Sequence, residues 1–306
     1  MMLVRIATLL AIAATLGAAG VAGAQQPREP LPRDLREPVY RVTDQLRRPT
    51  PEQPAKVAAL PAKRSGVLIE PASPGEHPLT PAIRWAKEGI DDIRQIQDYT
   101  CTFVKRERID GELLEHQFIT MKVRHEPFSV YMNFLKPSKL KGQEVIYIRG
   151  QNDGKIWAHT TGIKHKLFGT VSLAPTSVLA MKDNRYPITE VGLLNMVQRL
   201  IEVGEHDSQY GECDVEIFKE TKINDRSCTC IQVVHPVPRR EFTFNIARIY
   251  VDEELNLPLR FEAYDWPREP GGEPRLTEEY TYLNLQLNNG FTDTDFDINN
   301  AAYQFN

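Results

Sequence analysis

Alternating apolar and polar positions mark the stretch from Tyr99 to Gly150 as four successive strands. In the third strand, FSVYMNFL, every second residue is apolar, beginning with Phe128. Asp110-Gly111 separates the first two strands, and this dipeptide favours hairpin turns because its residues accept positive φ. Consecutive hairpins form an antiparallel meander whose apolar face must be covered. The pattern therefore predicts that another part of the chain packs on this sheet.

Two stretches with helical periodicity are available as that cover. The first is predicted to begin with Thr80 as N-cap and Pro81 in the first turn, and to end near Asp98. The second is predicted to run from Thr189 to about Gly204. Both are amphipathic, so each has one face to bury against a sheet.

The rest of the chain after the second helix returns to strand patterns, which raises the total to about ten strands. The predicted fold class is α+β, with a strongly curved antiparallel β-sheet that forms an incomplete barrel. The helices are expected to cover its concave face. We expect a single domain over residues 79–306.

The N-terminus has the layout of a secretory signal peptide over residues 1–24. Arg5 precedes an apolar run, and Ala22-Gly23-Ala24 forms an A-x-A site, so cleavage is expected after Ala24. An uncleaved anchor is the alternative. The first cysteine is Cys101, far from this site, so the chain is not expected to be a lipoprotein. The predicted location is periplasmic.

Residues 25–78 are rich in proline and charge and show no sustained period. Such a composition buries too little apolar surface to offset the entropy of ordering, so it predicts a disordered tether. The alternative, a segment laid along the domain surface, stays open for Val67-Leu68-Ile69. The formal net charge of the whole chain is −4, and removal of the signal peptide with its one arginine makes it −5. This acidic balance argues against nucleic-acid binding.

The four cysteines leave three interpretations open. An exported chain meets an oxidising compartment, so one disulfide is possible. Cys228 and Cys230 share a strand face and could bind metal with Cys213 and His235, although C-x-C is a weak zinc signal. Buried free thiols are the third interpretation, and we predict no metal and no cofactor.

Three stretches resemble the DUF1571 family of exported proteins from planctomycete-type bacteria. They are PFSVYMNFLKPSKLKGQEVIYIRGQNDGKIWAH, RYPITEVGLLNMVQRLI and YTYLNLQLNNGFTDTDFDINNAAYQF, and the resemblance covers about residues 85–306. More loosely, the strand layout and the turn VDEELNLPLRFEAYD resemble the LolA/LolB-like lipoprotein-carrier superfamily. That resemblance implies a half-barrel whose cavity holds acyl chains.

The predicted function is to bind or carry a hydrophobic ligand, such as a lipid or a lipoprotein acyl chain, in the cell envelope. The alternative is a non-catalytic structural or protein-interaction module whose cavity is filled by its own side chains. The protein is expected to be a monomer with a lipid, lipoprotein or envelope-protein partner. The sequence contains no G-x-S-x-G, H-E-x-x-H, Walker-type loop or G-x-G-x-x-G motif, which favours a non-enzymatic role. A hydrolase acting on envelope material, for which no residue set can be named, is a third possibility.

Two sets of residues are candidates for the ligand site. A basic set on the first hairpin is expected at the cavity rim, where it would suit an anionic headgroup: Lys105, Arg106, Arg108, Lys122 and Arg124. Large apolar side chains are expected to line the cavity: Trp85, Phe103, Phe118, Phe128, Met132, Phe134, Tyr147, Trp157 and Phe261. The alternating acids Asp293, Asp295 and Asp297 lack the glycine and closing glutamate of a calcium loop, so we interpret them as structural.

Overall fold

The computed structural model describes residues 66–67, 69–160 and 169–305. The predicted signal peptide and most of the predicted tether lie outside the described residues. The helices are α1 (Thr80–Arg94), α2 (Val178–Met181) and α3 (Leu193–Asp207). The strands are β1 (Asp98–Ile109), β2 (Glu112–Leu113), β3 (Gln117–Arg124), β4 (Ser129–Lys136), β5 (Glu144–Ile148), β6 (Ile156–His159), β7 (Val171–Leu173), β8 (Asp214–Ile223), β9 (Arg226–Val234), β10 (Ile246–Asp252), β11 (Pro258–Asp265) and β12 (Arg275–Leu287).

The strands form one antiparallel sheet, in the order β7-β6-β5-β4-β3-β1-β12-β11-β10-β9-β8, with β2 paired to β1. The order is open, because β7 and β8 are its two edges. It has twelve strands rather than about ten, since the very short β2 and β7 also pair. The predicted α+β class with an incompletely closed antiparallel sheet is confirmed. The first and last strands meet in the middle, where Lys105 lies opposite Tyr280.

The inner face of the sheet is the one that α1 and α3 cover. Ile93 of α1 and Leu193 of α3 are buried in one cluster with inner-face residues of β1, β3 and β4. Apolar positions of the strands supply one side of this core and the helical stripes supply the other. The predicted cover by two amphipathic helices is therefore confirmed.

The helix boundaries differ from the predicted ones. The N-cap of α1 is Leu79 rather than Thr80, and it makes no side-chain cap bond. The segment from Thr189 does not continue into α3, because Gly192 has a φ of 111° and interrupts the helical backbone. A Cβ at this glycine would lie 3.0 Å from the hydroxyl of Tyr99, which accepts a hydrogen bond from the Leu193 amide at 2.9 Å.

The C-terminal segment packs on the outer face of the sheet, opposite the helices. Phe296 and Phe305 are buried there against β4, β5 and β6. Two ion pairs hold the segment, from Lys122 Nζ to Asp295 Oδ1 at 2.9 Å and from Arg124 Nη1 to Asp293 Oδ1 at 2.8 Å. The alternating acids of this segment therefore anchor the chain terminus.

All four cysteines are free thiols, and all are buried. Burial raises the pKa of Cys213, Cys228 and Cys230 to about 12, which keeps them protonated and unreactive. His235 lies with its Nε2 atom 2.9 Å from Asp207 Oδ2. Of the three interpretations left open by the sequence, this structure has buried free thiols.

Candidate functional site: a cavity on the inner face

A cavity of about 520 Å³ lies between the inner face of the sheet and the chain from Pro175 to Val203. The sheet contributes side chains from both halves of the strand order, and α3 closes the opposite side. The segment between β7 and α3 forms part of the wall. The apolar lining consists mainly of Phe103, Ile119, Met132, Phe134, Val145, Ile156, Val191, Met196, Leu200, Phe244, Phe261 and Tyr282.

One end of the cavity is polar, where the odd-numbered residues of β1 reach it. Lys105 and Glu107 are both buried and their side chains pair at 2.9 Å. Lys105 Nζ also donates a hydrogen bond to Asn184 Oδ1. Glu107 Oε2 accepts a hydrogen bond from the Arg185 amide at 3.3 Å. These bonds join the sheet to the segment that precedes α3.

Glu278 of β12 is the second buried carboxylate at this end. Its Oε2 atom lies 2.9 Å from Arg185 Nε, and its Oε1 atom accepts a hydrogen bond from the Tyr186 hydroxyl at 3.1 Å. The Tyr280 hydroxyl lies between the carboxylates, 2.6 Å from Glu107 Oε1 and 3.0 Å from Glu278 Oε2. The polar end is thus one continuous hydrogen-bonded network.

Burial shifts the acid–base properties of this network. It raises the pKa of Glu278, and the nearby Arg185 guanidinium only partly opposes that shift. Burial and the neighbouring carboxylates also raise the pKa of Tyr280. The pKa of Tyr186 is raised chiefly by burial and then by Glu278. Both tyrosines therefore stay protonated at neutral pH and act there as hydroxyl donors.

An aromatic row on β1, β12 and β11 stiffens the wall beside the polar end. The rings of Phe103 and Tyr280 are stacked with centroids 5.9 Å apart, and those of Tyr280 and Phe261 with centroids 6.5 Å apart. Tyr282 packs against Phe103 at 5.1 Å. Rings held on three paired strands have little freedom to collapse into the cavity, so they help to keep it open.

The structure brings together four of the nine apolar candidates and one of the five basic ones in the cavity wall. They are Phe103, Met132, Phe134, Phe261 and Lys105. The first three apolar residues sit on inner-face positions of β1 and β4, as the strand alternation requires. The structure thus gives these five residues a shared location, while their role in binding stays a prediction.

The other apolar candidates lie elsewhere. Phe128 and Tyr147 are buried in the inner core, outside the cavity lining, with their ring centroids 6.1 Å apart. Trp85 lines a separate, smaller cavity of about 90 Å³ between the helices and the sheet. Phe118 and Trp157 belong to two clusters on the outer face. These placements depend on how the sheet curves and on which of its faces the helices cover. Alternation along a strand does not show which set of residues faces inward.

Of the five basic residues predicted at the rim, only Lys105 lies in the cavity wall. Lys105 points inward, but Arg106 and Arg108 point to the outer face and donate to the carbonyls of Leu114, Leu276 and Gly111. Adjacent strand residues face opposite sides, which separates these neighbours. Lys122 and Arg124 also lie on the outer face, where they hold the C-terminal segment.

Sequence reasoning missed Glu107, Arg185, Glu278 and Tyr280. Glu107 could have been predicted to lie beside Lys105, because residues two positions apart on a strand face the same side of the sheet. Glu278 and Tyr280 alternate on β12 in the same way. Their meeting with β1 depends on pairing between distant strands, for which the local pattern carries no signal.

These features define a class of protein with an open antiparallel sheet and a helix-covered cavity on its inner face. A family model described as "Protein of unknown function (DUF1571)" matches residues 96–305. The chain therefore belongs to the DUF1571 family, which confirms the resemblance drawn from its sequence. A search of curated proteins found no match.

Several solved structures are similar to this chain. A DUF1329 family protein from Desulfovibrio piger is 15% identical with a TM-score of 0.36, and the match covers 74% of this chain and 100% of that one. A LolA superfamily protein from Nitrosomonas europaea is 12% identical with a TM-score of 0.30, over 70% and 97% of the chains. The lipoprotein LppX of Mycobacterium tuberculosis is 12% identical with a TM-score of 0.38, over 70% and 98%. At these low scores the likeness carries no conclusion about function.

Among the described residues, no three or more His, Cys, Asp or Glu side chains are grouped so as to hold a metal ion. In the same part of the chain, no helix has both the length and the apolar character needed to cross a membrane.

Proposed function

We propose that this DUF1571 protein binds a hydrophobic ligand, such as a lipid or an acyl chain, in the cavity on the inner face. The observation that supports the proposal is the cavity of about 520 Å³ with its largely apolar lining. This volume lies within the range of roughly 300–1,000 Å³ that is usual for ligand pockets. A few polar groups at one end match the common design in which apolar contact gives affinity and polar contact gives orientation.

Binding would be driven by removal of apolar surface from water, at about 25 cal/mol for each Å² buried. Phe103, Phe134 and Phe261 would supply much of this surface, since aromatic side chains have large contact areas. We further propose that the protein is exported, that its signal peptide is cleaved after Ala24, and that the predicted tether links the domain to its site of action. The tether would extend only as far as Val67, which is buried against Ile231 and Val251. The domain would then act in the cell envelope without catalysis.

The alternative function is an interaction module that contacts an envelope protein. One observation favours it: Val178 and Leu179 of α2 are 92% and 63% exposed, which is unusual for adjacent large apolar residues. This alternative was also framed with a cavity filled by the protein's own side chains. The open volume of about 520 Å³ does not match that form of it.

Filling the cavity is expected to abolish ligand binding. In Val145→Trp the larger side chain would occupy space beside Met132, its partner across β4 and β5. We expect titration with the uncharged fluorescent probe N-phenyl-1-naphthylamine to give saturable binding to the full chain and at least a tenfold weaker affinity for the variant. Leu200→Trp, which fills the cavity from α3, is expected to act in the same way.

The matched control is Val237→Trp, because Val237 is 45% exposed and lies outside the cavity wall. It should bind the probe as the unchanged chain does. Circular dichroism and urea unfolding establish that each variant is folded. Equal probe binding by the folded cavity variants and the control would overturn the proposal.

A further inference from the structure

The two ends of the cavity differ in chemistry, and this difference bears on the kind of ligand. The wall formed by β3, β4, β5 and β6 contributes only apolar side chains to the lining. The polar end, formed by β1 and β12, carries Lys105, Glu107 and Glu278, all buried. An amphiphile in the cavity would place its tail against the first wall and its head at the second. This inference rests on the proposed function.

The cations at the polar end are already committed to carboxylates. Lys105 Nζ lies 2.9 Å from Glu107 Oε2, and Arg185 Nε lies 2.9 Å from Glu278 Oε2. Both cations could donate further hydrogen bonds, but the charge of each is already balanced by a buried carboxylate. An anionic head would therefore add a negative charge beside Glu107 and Glu278 with no counter-charge of its own, which is unfavourable in a buried site. The polar end therefore disfavours a carboxylate or phosphate head.

The carboxylates have acceptor capacity to spare. The Tyr280 hydroxyl lies within hydrogen-bond distance of both Glu107 and Glu278, but its single proton can serve only one of them. An N–H or O–H donor from a ligand would satisfy the remaining acceptor. The charges of the described lining residues have the same bias, with four carboxylates, Glu107, Glu190, Glu202 and Glu278, against three cations, Lys105, Arg185 and Arg199.

We propose that the ligand is an amphiphile whose head is a hydrogen-bond donor, either uncharged or cationic, and that the Glu107–Glu278 pair accepts from it. A hydroxyl, amide or ammonium head gains hydrogen bonds to a charged acceptor, which are stronger than neutral ones. An anionic head is repelled by the same carboxylates. This proposal differs from the anionic headgroup expected from a five-residue basic rim, of which only Lys105 lies in the cavity wall.

Three amphiphiles with the same tail and different heads test this inference. Decylamine, decanol and decanoate would each displace N-phenyl-1-naphthylamine from the full chain at pH 7, below their micellar concentrations. We expect the amine and the alcohol to displace the probe at concentrations at least about tenfold lower than decanoate. Glu278→Gln keeps the side-chain shape but removes the charge. In this variant, the ratio between the displacing concentrations of decanoate and decylamine should fall several-fold. Glu254→Gln, on an exposed side chain, should leave it unchanged.

The outcomes separate the two proposals. If the probe itself does not bind, the proposed function fails. If the probe binds and decanoate displaces it as well as or better than the amine and the alcohol, the proposed function stands and the headgroup inference is overturned. A ratio that Glu278→Gln leaves unaltered would also contradict the inference, because the carboxylate would then not be the acceptor.

Discussion

Replacing Glu144 with alanine is expected to lower the free energy of unfolding by roughly 3–5 kcal/mol, the range for removing one partner from a buried charged network. Glu144 is 1% exposed, and its carboxylate binds three parts of the chain. It accepts from the Tyr131 hydroxyl at 2.6 Å, lies 2.7 Å from His159 Nε2, and accepts from the Gln304 amide at 2.7 Å. The last bond ties down the C-terminal segment, so the variant should also loosen that segment.

Urea unfolding followed by circular dichroism measures the loss, and amide hydrogen exchange over residues 291–305 measures the loosening. Glu273→Ala, in the exposed loop between β11 and β12, is the matched control and should change stability by less than about 0.5 kcal/mol. Glu144→Gln keeps one acceptor oxygen and should lose less than the alanine variant. Similar stabilities for Glu144→Ala and Glu273→Ala would show that the outer-face network contributes little.

Replacing Leu193 with alanine is expected to lower the free energy of unfolding by about 2–5 kcal/mol, as large-to-small substitutions do in well-packed cores. The Leu193 side chain is fully buried at the first position of α3, and its amide donates to the Tyr99 hydroxyl. The substitution would keep the amide bond but remove the side-chain packing that holds the start of α3 against the inner face. Since α3 forms one wall of the cavity, probe affinity should fall as well.

The comparison with Leu179→Ala isolates the effect of burial, because Leu179 is 63% exposed on α2. Chemical denaturation of both variants should show a large loss for the first and a change within about 0.5 kcal/mol for the second. A small loss for Leu193→Ala would mean that α3 packs loosely and that the inner core depends on other contacts.

The strands were predictable from sequence because alternation is a local signal. The turn at Asp110-Gly111, which pairs β1 with β2 and returns the chain toward β3, is also a local signal. The interruption before α3 was not predictable, because the positive φ of Gly192 accompanies a tight approach to Tyr99 on a distant strand. Propensity and periodicity describe a segment alone, and here a tertiary contact decides where the helix begins.

The candidate site was predictable only in part, for a similar reason. Alternation on β1 places Lys105 on the opposite face from Arg106 and Arg108, so this separation could have been predicted from the sequence. The residues that lie next to Lys105 on the neighbouring strand could not be predicted. Tyr280 lies opposite Lys105 only because β1 pairs with the distant strand β12. Phe118 illustrates the remaining difficulty, because a large apolar residue on a strand can be buried on either face of a sheet.

Native mass spectrometry of the exported chain, purified from the cell envelope without detergent and paired with organic extraction of the same sample, tests the central claim most directly. The account predicts an added mass in the lipid range that extraction removes, present for the unchanged chain and for Val237→Trp and absent for Val145→Trp. A bare polypeptide mass for the unchanged chain, still bare after incubation with a lipid extract of the same cells, would contradict the claim that the cavity binds a hydrophobic ligand.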